Sequence, residues 1–378
     1  MDNNLIYLDH AAATPLDPEV KRVMEPYFCD VFYNPSSPYE PARQVKRDIS
    51  HARETIAHLL GAKPTEIIFT AGATESINLA FHDFKHIAYC EIEHPSVRAA
   101  AGDEATVLPV DRYGRLDLPQ LAQLITDDIE IVSVGLINNE IGTIQHVKKI
   151  AQLITEIRKK RTNQRPLWFH TDASQAPGMV DVNVQRLGVD MMTLNSAKIY
   201  GPKQMGLLWV RTGVELSPFI LGGGQEQGLR AGTENAAAIV GFSRALELTE
   251  KRRKSECARL KSLRDGAKHH FEEAFPDCII SGHPKHVAGH ILHVSFPGLD
   301  AERVVFALEM KGILVATGAA CAAERRQDSY VLDALNMEKQ YQQGSLRLSF
   351  GRETTKENLE RAVITIIQVI QKEQPHAS

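Results

Sequence analysis

Ile67-Ile-Phe-Thr-Ala-Gly-Ala-Thr-Glu-Ser-Ile-Asn78 predicts a buried strand, a turn of small residues and the start of a helix. Its apolar run shows no alternation with polar residues, as expected of a strand that helices cover on both faces. Similar runs recur at residues 129–137 and 167–170, between helix-like stretches. This pattern predicts a mostly parallel mixed sheet flanked by helices, in an α/β fold. Ligands of such sheets bind beyond the carboxyl ends of the strands.

The length of the chain predicts two domains. Its 378 residues exceed what one hydrophobic core usually organises. Residues 236–274 contain no proline and predict a long amphipathic helix that leaves the large domain. Two strand-like and two helix-like segments follow it, which is an α+β pattern. We therefore predict a large domain over residues 15–255 and a smaller α+β domain made of 1–14 and 256–378.

Composition and charge favour a small-molecule partner. The chain is 43% hydrophobic and 24% charged, with a net charge of -4, so it offers no basic footprint for nucleic acid or an anionic membrane. The basic run Arg158-Lys-Lys-Arg161 is interpreted as a solvated helix end. Five scattered cysteines without a C-x-x-C pair indicate neither a disulfide framework nor a zinc site. No targeting segment and no apolar run of about 20 residues is present, so we expect a cytoplasmic protein.

The small-residue turn after the first quoted strand is a candidate anion site. Its helix opens with Thr74-Glu75, and a helix amino terminus offers unpaired N–H groups and a positive dipole end. A phosphate group would fit there. An ordinary capped turn explains the segment equally well.

Two further segments carry groups suited to cofactor chemistry. Asp172 follows an apolar strand, where its carboxylate could hold a pyridine nitrogen protonated, although a helix cap or turn is the alternative. Lys198 follows the apolar run Asp190-Met-Met-Thr-Leu194. Loss of hydration there would make its neutral, nucleophilic amine accessible for Schiff-base formation, whereas a lysine that reaches out to solvent is the alternative.

A cysteine and an arginine complete the candidates. Cys321 lies in a small-residue loop that Arg325 and Arg326 could render electropositive, which favours a reactive thiolate; an inert buried thiol is the alternative. Arg347, in Ser345-Leu-Arg-Leu, has the planar fork that suits a substrate carboxylate, and a structural ion pair is its alternative.

Two patterns are rejected. The glycine-rich run at residues 221–233 lacks the G-x-G-x-x-G order and the strand-to-helix context of a dinucleotide site. His283, His286, His290 and His293 suggest a metal, but the last two have odd spacing and fall on opposite faces of a predicted strand. We predict no metal site.

A series of motifs runs in order along nearly the whole chain. They are Ile6-Tyr-Leu-Asp-His-Ala-Ala-Ala-Thr-Pro15, Asn34-Pro-Ser-Ser37, Thr70-Ala-Gly-Ala-Thr-Glu-Ser76, Glu93-His94-Pro-Ser96, Asn138-Asn-Glu-Ile-Gly142, Lys198-Ile-Tyr-Gly-Pro-Lys203, Arg230-Ala-Gly-Thr233, Cys321 and Ser345-Leu-Arg-Leu-Ser-Phe-Gly-Arg352. Together they resemble the cysteine desulfurases of the class V aminotransferase family, which adopt the fold type I architecture of pyridoxal-phosphate enzymes. The resemblance implies pyridoxal 5'-phosphate as the cofactor.

The resemblance also implies a role for each matching residue around the cofactor ring. Lys198 would form the Schiff base and act as a catalytic base. Asp172 would pair with the pyridine nitrogen, and Gln175 would reach the ring hydroxyl. His94 would stack on the ring and take part in catalysis.

The same resemblance implies how the phosphate and the substrate are held. Ala73, Thr74 and Asn195 or Ser196 would bind the phosphate. Thr233 would reach in from a second subunit, which predicts a homodimer. Arg347 and Asn139 would hold the substrate carboxylate, with Asn139 also near the cofactor.

The implied reaction converts L-cysteine to L-alanine and leaves the sulfur as a persulfide on Cys321. The persulfide would pass to an acceptor, such as an iron-sulfur scaffold or a tRNA-thiolation factor, which the sequence does not identify. A selenocysteine lyase, another β-lyase or an aminotransferase is the alternative enzyme, and a catalytically retired scaffold subunit is the alternative of another class. The main departure from the family pattern is Ala197, where a histidine that contacts the phosphate is common.

Overall fold

The computed structural model describes residues 5–163, 165–317 and 329–373. In these ranges the strands are β1 (Ile6–Tyr7), β2 (Ile67–Thr70), β3 (Ile87–Cys90), β4 (Thr106–Leu108), β5 (Ile131–Ser133), β6 (Trp168–Asp172), β7 (Met191–Asn195), β8 (Gly206–Val210), β9 (Ile279–Ile280), β10 (Ile291–Ser295), β11 (Ile313–Leu314), β12 (Ala316–Thr317) and β13 (Ser345–Ser349).

The helices connect and cover these strands. They are α1 (Pro18–Met24), α2 (Pro26–Cys29), α3 (Glu40–Leu60), α4 (Ala73–Phe81), α5 (Pro95–Ala101), α6 (Leu118–Leu124), α7 (Val147–Lys160), α8 (Val184–Leu187), α9 (Ala236–Ala274), α10 (Ala301–Glu309), α11 (Tyr330–Ala334), α12 (Lys339–Gln342) and α13 (Lys356–Glu373). Short 3-10 turns occupy Pro64–Glu66, Ser196–Lys198 and Glu226–Gly228. The long helix predicted over residues 236–274 is confirmed. No helix in the described ranges is long and apolar enough to cross a bilayer.

A seven-stranded sheet forms the centre of the molecule, in the order β2-β8-β7-β6-β5-β3-β4. The strands from β7 to β4 are parallel, whereas β8 runs antiparallel to both β7 and β2. Strands such as β2, β3 and β5 are buried along their whole length, because helices cover both faces of the sheet. The predicted α/β fold with a mostly parallel mixed sheet is confirmed.

A second, four-stranded sheet is antiparallel and has the order β12-β13-β10-β9. Nearby, β1 at the start of the chain pairs in parallel with β11. An apolar core that includes Phe271, Phe296 and Phe350 packs around these strands, separate from the core of the central sheet. The amino-terminal strand and the carboxyl-terminal third of the chain therefore fold together.

Helix α9 joins the two cores. It contributes Phe242 to the core of the central sheet and Phe271 to the second core. Val331 and Leu332, which fall in the range predicted for the small domain, pack into the core of the central sheet. The division into 15–255 against 1–14 and 256–378 stays a prediction.

The basic run at the end of α7 differs from its interpretation. Arg158 is half-buried: its Nε donates to the carbonyl of Leu167 at 2.6 Å, and its guanidinium pairs with the buried Asp190. Arg161 donates to the carbonyl of Ile129 at 2.6 Å. The interpretation as a solvated helix end is wrong for these two arginines, because they bind backbone carbonyls and a carboxylate beside the sheet. Lys159 and Lys160 are exposed, as interpreted.

Candidate active site

A cavity of about 440 Å³ opens beyond the carboxyl ends of the central strands. Ala73 and Thr74 reach it after β2, His94 after β3, and Asp172 at the end of β6. Nine of the residues predicted for the site line this one cavity: Ala73, Thr74, His94, Asn139, Asp172, Gln175, Asn195, Lys198 and Arg347. Parallel strands end at the same edge of a sheet, which is why segments so distant in sequence meet there.

Lys198 enters the cavity from a tight turn after β7. Asn195 caps this turn, because its Oδ1 accepts the backbone N–H of Ala197 at 3.0 Å. The Nζ of Lys198 donates to the carbonyl oxygens of Ala11 at 2.9 Å and Ala12 at 2.6 Å. The segment at the start of the chain therefore holds the amine at the cavity wall.

His94 and Asp172 line the same cavity as Lys198. His94 caps α5, since its Nδ1 accepts the backbone N–H of Ser96 at 3.2 Å. Burial lowers the pKa of His94, with Asp172 acting against this effect and Lys198 adding to it. The imidazole is therefore kept in its neutral form, which can pack flat against an aromatic ring without a charge to solvate.

The start of α4 forms one end of the cavity. Gly72 precedes this nine-residue helix and has no side chain that could cap it, so the first backbone N–H groups of α4 are left for a ligand. A Cβ on Gly206 would lie 2.7 Å from the Cα of Gly72, so glycine is required where β8 passes the turn. This close packing fixes Ala73 and Thr74 in an arrangement suited to an anion.

Arg347 reaches the cavity from β13 of the second sheet and is 4% exposed. Its Nη2 pairs with Asp9 Oδ1 at 2.7 Å, and its Nη1 donates to the carbonyl of Asn139 at 3.0 Å. Its Nε is buried and has no hydrogen-bond partner among the residues described. The guanidinium is therefore in a structural ion pair while it also lines the cavity, and its role in binding a substrate carboxylate stays a prediction.

Two predicted residues of the described ranges, Ser196 and Thr233, do not line the cavity. Ser196 is fully buried beside it, and its Oγ lacks a hydrogen-bond partner in the part of the chain that the structure describes. Thr233 is exposed and lines a different cavity of about 270 Å³, next to Thr70 and Arg230. Cys321 lies outside the described residues. The roles of all three stay predictions.

The model of the family described as aminotransferase class-V matches residues 6–362. The chain belongs to this family. Class-V aminotransferases depend on pyridoxal phosphate, which accords with a lysine, an aspartate and a helix start without a side-chain cap around one cavity.

Known proteins resemble this chain over nearly its whole length. It is 39% identical to cysteine desulfurase IscS 1 of Archaeoglobus fulgidus, with 97% of both chains covered. A solved structure of a NifS-like protein superposes with a TM-score of 0.89 at 29% identity, covering 97% of this chain and 100% of the other. The structure of SspA in complex with cysteine gives a TM-score of 0.76 at 30% identity, covering 91% of this chain and 98% of that one. The predicted family and the predicted relation to cysteine desulfurases are confirmed.

Glu93, to which no role was assigned from the sequence, is 4% exposed and lines the cavity of this class-V aminotransferase. Ser133 Oγ donates to its Oε1 at 3.2 Å and lies 2.9 Å from His170 Nδ1. Burial, with a further effect of the charge of Asp172, raises the pKa of Glu93 to about 8. Its place beside His94 in a family motif was the signal that could have identified it.

Glu140 and Asp9 likewise belong to sequence motifs but had no role assigned from the sequence. Glu140 is 7% exposed, and Ser329 Oγ donates to its Oε1 at 2.6 Å. Burial raises the pKa of Glu140 to about 7. Ser329 is the first described residue after the segment that carries Cys321, so Glu140 fixes the point where the chain returns from that segment.

Nothing in the described ranges groups three or more His, Cys, Asp or Glu side chains in a way that could hold a metal ion. His290 and His293 are both buried near the second sheet, at 8% and 1% exposure. Burial lowers the pKa of each to about 3, so both rings are neutral.

Proposed function

We propose that this class-V aminotransferase is a pyridoxal-phosphate-dependent cysteine desulfurase, which converts L-cysteine to L-alanine and transfers the sulfur through Cys321. The observation that carries the proposal is the meeting of Lys198, Asp172, His94 and Arg347 in one cavity. A relative that is 39% identical over nearly the full length is named a cysteine desulfurase, which supports the choice of substrate.

Pyridoxal phosphate fits the residues that line the cavity. A volume of about 440 Å³ lies within the range of small-molecule sites, roughly 300–1,000 Å³. Gly135 lines it without a side chain, and a Cβ there would lie 3.0 Å from Glu93 Oε2. The open N–H groups at the start of α4 suit the phosphate, and Asp172 suits the pyridine nitrogen.

Lys198 is the residue that would hold the cofactor and then move a proton. When bound, pyridoxal phosphate withdraws electrons from the substrate Cα and so weakens its Cα–H and Cβ–S bonds. In its neutral form, the Nζ of Lys198 accepts the Cα proton. The carbonyls of Ala11 and Ala12 orient this amine in the described structure.

Arg347 would bind the substrate carboxylate, with Asn139 beside it. The buried guanidinium has an Nε that lacks a partner among described residues, and a carboxylate can use that donor without full loss of the Asp9 pair. Because Arg347 comes from the second sheet and Lys198 from the central sheet, bound substrate would contact both cores.

Cys321 would take the sulfur. Its thiolate attacks the sulfur of the bound cysteine, so that a sulfur–sulfur bond forms as the Cβ–S bond breaks. The electron pair of the broken bond stays with the substrate carbon, which takes up a proton on the way to alanine. The persulfide then passes to an acceptor protein, for which an iron-sulfur scaffold or a tRNA-thiolation factor is proposed. A homodimer in a cytoplasmic, reducing compartment completes the proposal.

The test measures alanine and sulfide released from L-cysteine in the presence of pyridoxal phosphate and a reductant. We expect Lys198→Ala to lower alanine formation by about a hundredfold or more, since a positioned base contributes at least that factor. Cys321→Ala should abolish release of sulfide. Cys29→Ala, which removes an exposed thiol, is the matched control and should be fully active. Full activity of Cys321→Ala would exclude the persulfide step and favour a β-lyase.

A further inference from the structure

His290 is a buried histidine for which the family resemblance supplies no role. We propose that it is a positioning residue that fixes the side-chain amide of Gln175, so that Gln175 presents an N–H donor to an oxygen of the bound cofactor. The inference rests on the proposed function, because the oxygen concerned is the ring hydroxyl of pyridoxal phosphate.

The hydrogen bonds of Gln175 determine which way its amide points. One end of the amide lies 3.0 Å from the carbonyl oxygen of Ala11. A carbonyl oxygen only accepts, so the atom at this end must be the nitrogen, Nε2. The oxygen Oε1 then faces His290 Nε2 at 3.2 Å. The amide is therefore held between an acceptor on one side and the imidazole on the other.

The imidazole of His290 must donate in this arrangement. Oε1 of Gln175 has no proton, so Nε2 of His290 has to carry one. The ring is 8% exposed, and its Nδ1 has no hydrogen-bond partner within the residues that are described. Burial, together with the nearby His10 and Arg347, lowers the pKa of His290 to about 3. A neutral ring with its proton on Nε2 satisfies these conditions.

The fixed amide leaves one N–H of Gln175 for the cavity. Ala11 accepts one N–H from Gln175 and a second hydrogen bond from Lys198 Nζ at 2.9 Å, which uses both lone pairs of its carbonyl. The other N–H of Gln175 is not used by any residue in the described ranges, and Gln175 lines the main cavity. A donor there stabilises a negatively charged ring oxygen, whereas a flipped amide would oppose it with its own oxygen.

His290 is itself held by the second sheet. Its carbonyl accepts the backbone N–H of Phe350, directly after β13, at 2.8 Å. The orientation of a group in the cavity of the central sheet is thus set from the other core.

The test compares His290→Leu, Gln175→Ala and the double variant, with the dissociation constant of pyridoxal phosphate and the pH titration of its bound absorbance as readouts. We expect His290→Leu to weaken cofactor binding by about threefold to tenfold, the range of a single neutral hydrogen bond. His290→Leu should also shift the pH at which the absorbance of the bound cofactor changes. In the Gln175→Ala background the same substitution should change neither quantity further, since His290 acts through Gln175.

His290→Gln is the conservative variant, because its Nε2 can still donate, and it should restore part of the affinity. His283→Leu is the control, a half-buried histidine outside the cavity, and should bind like the native protein. Equal losses in the native and Gln175→Ala backgrounds would overturn the inference. So would native binding by His290→Leu.

A measurement without cofactor separates this inference from the proposed function. Nitrogen NMR of the cofactor-free protein with labelled histidine should show the Nε2–H form of His290, and a proton on Nδ1 instead would refute the inference. If the native protein fails to bind pyridoxal phosphate, the proposed function fails, while the NMR result still tests the contact between His290 and Gln175.

Discussion

Glu93 places a second carboxyl group in the cavity beside Asp172. No ion pair of Glu93 occurs among the described residues, and its hydrogen-bond donors are neutral: the hydroxyl of Ser133 and the backbone N–H groups of Gly135 and His94. Burial disfavours the charged form of the Glu93 carboxyl group, and the negative charge of the half-buried Asp172 adds to this effect, so the pKa of Glu93 is raised to about 8. Glu93 therefore keeps its proton at neutral pH.

This proton makes the stability of the cofactor-free protein depend on pH. The pKa of Glu93 rises from 4.5 to about 8 on folding, so between these values the folded state binds a proton that the unfolded state has lost. Its contribution to stability is fully present below pH 4.5 and is lost as the pH rises to about 8, at up to about 1.4 kcal/mol per pH unit. Glutamine at this position has no proton to lose. We therefore expect the melting temperature of Glu93→Gln to rise relative to that of the native protein as the pH increases from 4.5 to about 8.

The measurement is the melting temperature of cofactor-free native and variant proteins from about pH 5 to pH 8. Glu104→Gln changes an exposed glutamate in the same way and is the control. The difference between its melting temperature and that of the native protein should stay constant across this pH range. A constant difference for Glu93→Gln as well would mean that Glu93 is ionised in the folded state.

Helix α9 connects the core of the central sheet to the second core. Its 39 residues run from the core of the central sheet, around Phe242, to the second core, around Phe271. Lys198 belongs to the first region and Arg347 to the second. The proposed base and the proposed carboxylate-binding group are therefore linked through this continuous helix, in addition to the hydrogen bond from Arg347 to the carbonyl of Asn139.

A break in the middle of α9 should disturb activity without removal of any cavity residue. Proline at the exposed Ser255 deletes a helix hydrogen bond and introduces a clash, which costs about 3 kcal/mol or more. We expect Ser255→Pro to lower the melting temperature and to raise the KM for L-cysteine more than it weakens cofactor binding, because most of the residues proposed to hold the cofactor follow strands of the central sheet. Ser255→Ala is the control. Equal effects on KM and on cofactor affinity would contradict this role of α9.

The position of Thr233 is relevant to whether one chain or two chains supply the residues of each site. Thr233 is exposed and lines a cavity that does not include Lys198 or Asp172. If Thr233 binds the phosphate, as the family resemblance implies, it does so in the cavity of a second copy. A homodimer with sites that share residues is the arrangement this requires.

Hybrid dimers test this arrangement. A dimer with one Lys198→Ala chain and one Thr233→Ala chain should contain one intact site, because Lys198 of the second chain would meet Thr233 of the first. We expect the hybrid, purified with two different tags, to bind pyridoxal phosphate at that site with the native affinity. If Thr233 acts within its own chain, the affinity would instead equal that of the Thr233→Ala homodimer.

The sequence predicted the main features of the fold because its local patterns were strong. Fully apolar runs indicated strands buried on both faces, and the absence of proline from residues 236–274 indicated one long helix. The ionic contacts of Arg158 were not predicted, since a run of four basic residues has the same composition whether its members face solvent or a buried carboxylate.

The motifs were sufficient to identify the family and nine of the residues that line the cavity, because cofactor chemistry limits which side chains can serve at each motif. How those residues are held follows from the fold and not from the motifs. Three features depend on burial and on neighbours that are distant in the chain. Glu93 keeps a proton beside Asp172, which follows another strand. Arg347 pairs with Asp9 and Gln175 is oriented by His290, and the members of each of these pairs are more than a hundred residues apart. Charge, desolvation and hydrogen bonding act through space, so a linear pattern does not encode them.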